Sequence, residues 1–179
     1  KAVERMTTKH VSLDIQPDQY SIVGENLLHS ISEVLNVPFE SDLIEAWKQA
    51  YLQLADILIG VEKQKYEALA AQQGGWAGWR AFEISNIANS DAGQVFTVKS
   101  ADQQTISQPQ SGQFISVKVK VPGHDLHQPH QFVLSNDQGQ EYQFVVKPEE
   151  NRTEFSVSNI LLEHYAVGDK VELSAPMGK

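Results

Sequence analysis

Three glycines within five residues, Gly74, Gly75 and Gly78, separate two parts of the chain that have different residue periodicity. Such a density of glycine disfavours a helix, because each glycine loses more backbone freedom than other residues on folding. Before the glycines, apolar residues recur every three or four positions, and after them apolar and polar residues alternate. We therefore predict an α+β protein of two domains, 1–73 and 74–179, with residues 74–79 acting in hinge and packing.

The first domain is predicted to contain the tail of one helix and then two long helices. Proline and an acidic residue suit the start of the second helix, and Ser41 is a suitable N-cap for the third. Trp47 and Tyr51 lie four residues apart, so they face the same side of that helix and are predicted core residues. The three helices are expected at about 2–10, 17–36 and 41–72.

The second domain is predicted to be a six-stranded barrel or sandwich. Short β-rich runs separated by turn residues are typical of such folds. One helix, from Ser156 or Ser158 to about Tyr165, interrupts the strands. The strands are expected near 80–88, 93–100, 113–121, 131–135, 141–147 and 170–174.

Composition excludes several classes of function. The net charge is -9 with a pI near 5.1, so the clustered cations that a nucleic-acid partner requires are not expected. The chain has no cysteine, which rules out disulfides, iron–sulfur clusters and thiol nucleophiles. No apolar run approaches the roughly 20 residues of a membrane span. The chain begins at Lys1 without a signal-peptide pattern, which indicates processing or a segment of a longer protein.

His10, Tyr20 and Glu62 form the candidate site with the clearest chemistry. A neutral imidazole on a helix is a common axial haem ligand, and its second ring nitrogen needs an acceptor that fixes the tautomer. A phenol and a carboxylate on the following helices are suitable acceptors. The alternative interpretations are a surface histidine near a helix end for His10, a partly buried anchor for Tyr20 and an exposed acid for Glu62. For His10 considered alone, the surface histidine is the preferred interpretation.

His124, His127 and His130 lie three residues apart and suggest a zinc site as one interpretation. Gly123 and Pro129 disfavour a helix here, and a strand would place alternate side chains on opposite faces. A solvated loop is therefore the preferred interpretation.

Several motifs, in order, resemble those of the bacterial flavohaemoglobins, in which a globin is fused to a ferredoxin-reductase-like flavin domain. The resemblance covers essentially the whole chain. It implies a partial globin with two long helices, followed by an FAD-binding β-barrel. This barrel would have six antiparallel strands in a Greek-key arrangement and one short helix. The motifs are Lys9-His10, residues 19–25, Glu62 with Tyr66, Gly74-Gly75-Trp76, Val157-Ser158-Asn159 and residues 167–169.

The resemblance also implies an activity and its cofactors. His10 would be the proximal ligand of haem b, with Tyr20 and Glu62 as the catalytic shell that increases electron donation to iron. The family converts nitric oxide and O2 to nitrate in the cytoplasm, with electrons from NAD(P)H passing through FAD to haem. The distal half of the globin and the NAD(P)H-binding domain would lie outside this chain, so this segment alone is expected to be inactive.

The predicted flavin site departs from the family pattern. The family has an Arg-x-Tyr-Ser or Arg-x-Tyr-Thr strand motif, in which arginine pairs with the pyrophosphate and the hydroxyl bonds the ring edge. The matching stretch here is His130-Gln131-Phe132-Val133. Phe132 can still stack on a ring, whereas Val133 cannot form a hydrogen bond. The helix start at Val157, Ser158 and Asn159 offers N–H groups to a phosphate.

Two alternatives follow from this departure. The chain could be a non-enzymatic interaction module with a degenerate barrel, or a haem-only sensor of oxygen or nitric oxide that takes electrons from elsewhere. In each case the two long helices lack about half of their expected apolar cover. We therefore predict self-association through these exposed helix faces, or a rearranged helical part. The preferred nicotinamide and the oligomeric state do not follow from the sequence.

Overall fold

The computed structural model describes residues 1–178. The chain begins with α1 (Ala2–Ser12), α2 (Gln19–Leu35) and α3 (Asp42–Ala71). The strands are β1 (Arg80–Ser90), β2 (Gly93–Ser100), β3 (Phe114–Lys120), β4 (His127–Val133), β5 (Tyr142–Val146) and β6 (Lys170–Leu173), with α4 (Val157–His164) before β6. The predicted order of elements is confirmed.

The chain divides into two compact units. The helical unit contains Lys1–Val11 and Ile15–Lys65, and the barrel unit contains Ser12–Asp14 and the chain from Tyr66 onward. The predicted domain limits, 1–73 and 74–179, remain a proposal. Among the described helices, none is long and apolar enough to cross a membrane.

Local chemistry accounts for the ends of the long helices. Asn36 follows α2 with φ of 52°, a left-handed conformation that asparagine adopts more readily than most residues and that ends a helix. Ser41 precedes α3, and its Oγ accepts a hydrogen bond from the Ile44 N–H at 3.4 Å. The helix α2 begins at Gln19, two residues later than predicted. The side chain of Asp18 forms no cap hydrogen bond, and the side-chain oxygen of Gln19 accepts a hydrogen bond from the Gln16 N–H.

Apolar side chains on the long helices are widely exposed. The prediction that Trp47 is a core residue is wrong, since 48% of its surface is exposed, and Tyr51 is only partly buried. Helical spacing identifies a face but not whether another element covers it. Self-association through these faces stays a prediction. The exposed set includes Ile22, Val23, Leu27, Val34, Leu35, Leu54 and Ile57.

The six strands form one antiparallel sheet in the order β4-β3-β6-β1-β2-β5. An isolated bridge between Leu134 and Phe144 joins the two edge strands and closes the sheet into a barrel. The non-sequential order, in which β6 lies between β3 and β1, is the Greek-key arrangement that we expected. The fourth strand begins at His127, four residues before its predicted start.

The residues after Gly74 pack against the barrel core. Trp76 contacts the Phe82 ring at a centroid distance of 5.5 Å, and its indole N–H donates to the Leu173 carbonyl at 3.1 Å. Gly74 has φ of 70°, and a Cβ there would lie 2.5 Å from the carbonyl carbon of Ile106. The predicted packing role of this stretch therefore has a clear structural basis.

Tyr142 should make the barrel sensitive to strongly alkaline pH. Its hydroxyl donates to the Ser107 carbonyl at 2.7 Å, and burial raises the pKa of Tyr142 to about 12. A tyrosine in the unfolded chain ionises near pH 10, so between pH 10 and 12 the unfolded chain loses this proton while folded Tyr142 keeps it. The free energy of unfolding is therefore fully retained below pH 10 and declines as pH rises towards 12. Tyr142→Phe should remove this contribution to the decline, at a cost of about 1 kcal/mol at neutral pH.

Urea unfolding at neutral and alkaline pH measures this effect. Tyr165→Phe is the matched control, because Tyr165 is only partly buried and its hydroxyl accepts a hydrogen bond from the Lys120 N–H at 3.1 Å. This variant should keep the alkaline decline that Tyr142 causes. An undiminished alkaline decline in Tyr142→Phe would contradict the prediction.

Candidate functional site

A phenol, an imidazole and a carboxylate from three helices meet in the helical unit. His10 lies near the end of α1, Tyr20 in the first turn of α2 and Glu62 in the last third of α3. The Nδ1 atom of His10 lies 2.8 Å from Glu62 Oε1 and 3.0 Å from the Tyr20 hydroxyl oxygen. The structure thus brings together the three residues that sequence analysis selected.

The hydrogen bonds of this group fix the imidazole tautomer. The Tyr20 hydroxyl donates to Glu62 Oε1 at 2.6 Å, so its proton is directed at the carboxylate. The proton on His10 Nδ1 is then shared between the Glu62 oxygen and the Tyr20 oxygen, both of which can accept. In the neutral imidazole with its proton on Nδ1, Nε2 presents its lone pair, which is the form of histidine that binds a metal.

Glu62 is the most enclosed member of the group. Only 3% of its surface is exposed, so the interpretation of Glu62 as an ordinary surface acid is wrong. A buried carboxylate requires hydrogen-bond partners, and here the Oε1 atom of Glu62 bonds both the Tyr20 hydroxyl and the His10 imidazole. His10 itself keeps 30% of its side chain exposed, which leaves the ring accessible from outside.

A second link joins α1 to α3 close to this group. The Lys65 ammonium, three residues after Glu62, forms an ion pair with Glu4 and donates to the Thr8 hydroxyl at 3.1 Å. The hydrogen bond and charge of Lys65 lower the pKa of Glu4. Sequence analysis did not identify this link, because Glu4 and Lys65 are 61 residues apart and neither belongs to a motif.

Tyr51 is a further residue that sequence analysis placed in the core without assigning it a contact. Its hydroxyl donates to the backbone carbonyl of Tyr20 at 2.6 Å, and burial raises the pKa of Tyr51. The spacing of 11 residues between Tyr51 and Glu62 is close to three helical turns, so both face the same side of α3. This periodicity places Tyr51 on the Glu62 side of α3, but it does not identify the Tyr20 carbonyl as its partner.

The predicted flavin stretch lines a groove of about 480 Å³ along β4. Phe132 is only 7% exposed because its ring packs in the barrel core, 5.0 Å from the ring of Phe144. Val133 is 66% exposed and offers no hydrogen bond to a ligand. The groove is lined by His130, Gln131, Phe132, Val133, Leu134, Ser135, Val145, Lys147 and Ser158.

The start of α4 reaches one end of this groove through Ser158. Val157, Ser158 and Asn159 are all buried, and the first N–H groups of a helix have no partner within the helix. The Nδ2 atom of Asn159 is buried without a hydrogen-bond partner among the described residues. Ser158 and Lys147 line the groove along β4 and suit a phosphate there, whereas Asn159 lines a separate pocket.

His124, His127 and His130 do not form a metal site in the described part of the chain. His124 lies 3.4 Å from Glu154 and contacts the Phe155 ring, while the His130 ring contacts Phe132. The prediction of a solvated loop is wrong for His127 and His130, which lie in β4, because β3 pairs with the strand as far as His127.

The chain was compared with known proteins by sequence. The Globin family profile matches residues 1–58. A protein named Flavohemoprotein from Halalkalibacterium halodurans is 40% identical over 98% of this chain and 44% of its own length. A Flavohemoprotein from Rhizobium meliloti is 42% identical over 95% of this chain and 43% of its own length. The chain therefore spans somewhat less than half the length of these relatives.

Solved structures agree with the sequence comparison. A flavohemoglobin from Malassezia yamatoensis, determined with bound FAD and heme, matches 99% of this chain and 44% of its own chain, with a TM-score of 0.82 and 26% identity. The FAD/NAD-binding domain of nitric oxide dioxygenase from Vibrio cholerae matches 56% of this chain and 44% of its own, with a TM-score of 0.51 and 32% identity. The globin part and the reductase-type barrel that we predicted are confirmed.

Proposed function

We propose a function for this chain from its membership of the flavohaemoprotein family, whose sequences match it over nearly its whole length at about 40% identity. The chain joins the end of a globin domain to a reductase-type barrel. Because it spans less than half of its relatives, the activity proposed below belongs to the intact protein.

The observation that carries the proposal is the hydrogen-bonded group of His10, Tyr20 and Glu62. With Nδ1 protonated and shared between two oxygen acceptors, His10 is suited to bind haem iron through Nε2. The buried carboxylate accepts a hydrogen bond from the imidazole Nδ1–H, and Tyr20 keeps that carboxylate in place. Haem, when bound, supplies the iron at which O2 binds and nitric oxide is oxidised.

The groove along β4 is the proposed site for FAD. We assign the pyrophosphate to the start of α4, where Ser158 lies near the groove and Lys147 provides a positive charge. Val157 and Asn159 complete the first turn that presents the N–H groups. Phe132 can offer only the small exposed part of its ring, so we expect an edge contact with the flavin in place of full stacking.

We propose that the intact protein converts nitric oxide and O2 to nitrate with electrons from NADH or NADPH. The matching Vibrio cholerae domain belongs to a protein named nitric oxide dioxygenase, which supports this choice of reaction. In this scheme His10 orients the haem and donates electron density, while Tyr20 and Glu62 hold the imidazole. A cytoplasmic location remains an expectation from the resemblance.

A haem-only sensor is the second candidate function. His130 lacks the guanidinium group of the family's arginine and the side chain of Val133 cannot form a hydrogen bond, so two expected contacts to a flavin are missing. In this case His10 would still bind haem, and electrons would come from a separate reductase. A module that binds no cofactor is disfavoured, because Glu62 and Tyr20 engage one ring nitrogen of His10 while the ring stays 30% exposed, an arrangement that suits a metal-binding histidine.

Nitric oxide consumption by the intact protein tests the proposal. The protein, supplied with haem and FAD, should consume nitric oxide in air-saturated buffer when NADH or NADPH is added, and nitrate should accumulate in equal amount. Consumption that begins only when a separate reductase is added would favour the haem-only sensor. No consumption under either condition would contradict the enzymatic proposal.

A further inference from the structure

The separate pocket that Asn159 lines, here called the Asn159 pocket, is a small cavity beside α4. Its volume is about 100 Å³, and within residues 1–178 it shares no lining residue with the β4 groove. Pro122 and Ile160 give it an apolar wall. A cavity of about 150 Å³ accommodates benzene, so the Asn159 pocket suits a ligand of roughly four to six non-hydrogen atoms.

One half of the Asn159 amide has a partner and the other half does not. The side-chain oxygen of Asn159 accepts a hydrogen bond from the Glu149 N–H at 3.3 Å, which fixes the orientation of the amide. The residue is only 5% exposed, and nothing in the described part of the chain accepts a hydrogen bond from its Nδ2 atom. Because a buried donor without an acceptor is costly, the pocket favours a ligand that brings an oxygen acceptor to Nδ2.

The charged side chains around the pocket determine which acceptor suits it. Of the described lining residues, Glu154 and Glu163 are acidic and Arg152 is basic. The Arg152 guanidinium pairs with the Glu163 carboxylate at 2.6 Å, while Glu154 lies 3.4 Å from the His124 ring. An anion would therefore approach two carboxylates with no uncommitted guanidinium to receive it. A cation without an oxygen atom would leave Asn159 without an acceptor.

We propose that the Asn159 pocket binds a small neutral carboxamide. Its carbonyl oxygen accepts a hydrogen bond from Asn159 Nδ2, its N–H groups face the carboxylates at the rim, and its apolar part lies against Pro122 and Ile160. Every part of such a molecule then has a complementary group in the pocket. The inference does not depend on haem or FAD, so it stands or falls separately from the proposed function.

Three probes of nearly identical shape test this proposal: acetamide, acetate and acetamidinium. The intact protein, labelled with ¹⁵N at asparagine, is titrated with each probe while the side-chain N–H signals of Asn159 are followed by NMR. Acetamide should shift these signals with a Kd of about 1–10 mM, because so small a molecule makes few contacts. Acetate and acetamidinium should bind roughly tenfold more weakly, the equivalent of one hydrogen bond.

Two results with these probes would overturn the inference. Equal or tighter binding of acetate would show that the pocket is an anion site. No shift with acetamide at concentrations far above its expected Kd would show that water alone fills the pocket. Added FAD should not displace acetamide, because the lining residues of the two sites differ, and displacement would show that the pocket belongs to the flavin site.

A matched pair of variants identifies the Asn159 signals and tests the role of the amide. Asn159→Asp keeps an oxygen for the Glu149 N–H but removes both Nδ2 donors, so acetamide binding should weaken at least roughly tenfold. Asn159→Ser serves the same purpose if the buried charge prevents folding. Asn151→Asp, at an exposed position outside the lining, should leave the affinity unchanged. Acetamide binding that survives the loss of the Asn159 amide would overturn the inference.

Discussion

Replacing His10 with glycine should lower the haem affinity of the intact protein by more than about 100-fold, since losing even an outer partner of a ligand costs roughly 10- to 100-fold. The substitution leaves Glu62 and Tyr20 facing a space the size of an imidazole ring. Added imidazole should enter that space, donate to Glu62 and restore haem binding. Haem titration followed by absorbance, with and without imidazole, measures both effects.

His29→Gly is the matched control for this experiment. His29 also lies on a helix of the same unit, where its ring stacks on Phe39 at a centroid distance of 4.0 Å. Its replacement should leave haem affinity unchanged. Full haem affinity in His10→Gly, or a loss that imidazole does not reverse while the protein remains folded, would contradict the assignment of His10.

Changing His130 to arginine and Val133 to serine should increase the affinity for FAD by roughly 10- to 100-fold, the range that corresponds to one charge-assisted hydrogen bond. Both residues line the β4 groove, and the wide exposure of Val133 means that serine costs little stability there. Arginine supplies a permanent charge and a planar set of donors for the pyrophosphate. Titration of FAD fluorescence against each protein gives the affinities.

Val167→Ser provides the control for the flavin experiment, because Val167 is 59% exposed in the same unit and lies outside the residues that line the groove. It should leave FAD affinity unchanged. An affinity in the double variant within twofold of the starting protein would show that the β4 groove is not where the flavin binds.

Local chemistry predicted the elements of this fold well. Helix ends depend on neighbouring residues, as the glycines near position 74, the left-handed Asn36 and the Ser41 cap show. The sequence alone therefore places the ends of the elements within a few residues. The Greek-key order of the barrel came from the family resemblance, because alternating strands separated by turns are compatible with a barrel and with a sandwich. The start of β4 was missed, since Pro129 and the histidines around it do not resemble a strand.

Contacts between distant residues were harder to predict. The chemistry of His10, Tyr20 and Glu62 identifies them in the sequence, but the burial of Glu62 depends on the packing of three helices. Trp47 shows the converse, because helical periodicity indicates an apolar face without indicating what covers it. The bond from Tyr51 to the Tyr20 backbone involves no motif, so only the packed structure reveals it.

The absorbance spectrum of the purified intact protein tests the central claim most directly. Reconstituted with one equivalent of haem, the protein should show a sharp Soret band, and this band should be lost in His10→Gly and recovered with imidazole. The flavin bands in the same spectrum report on the β4 groove independently. A spectrum with no Soret band above that of free haem, or one that His10→Gly leaves unchanged, would contradict the account.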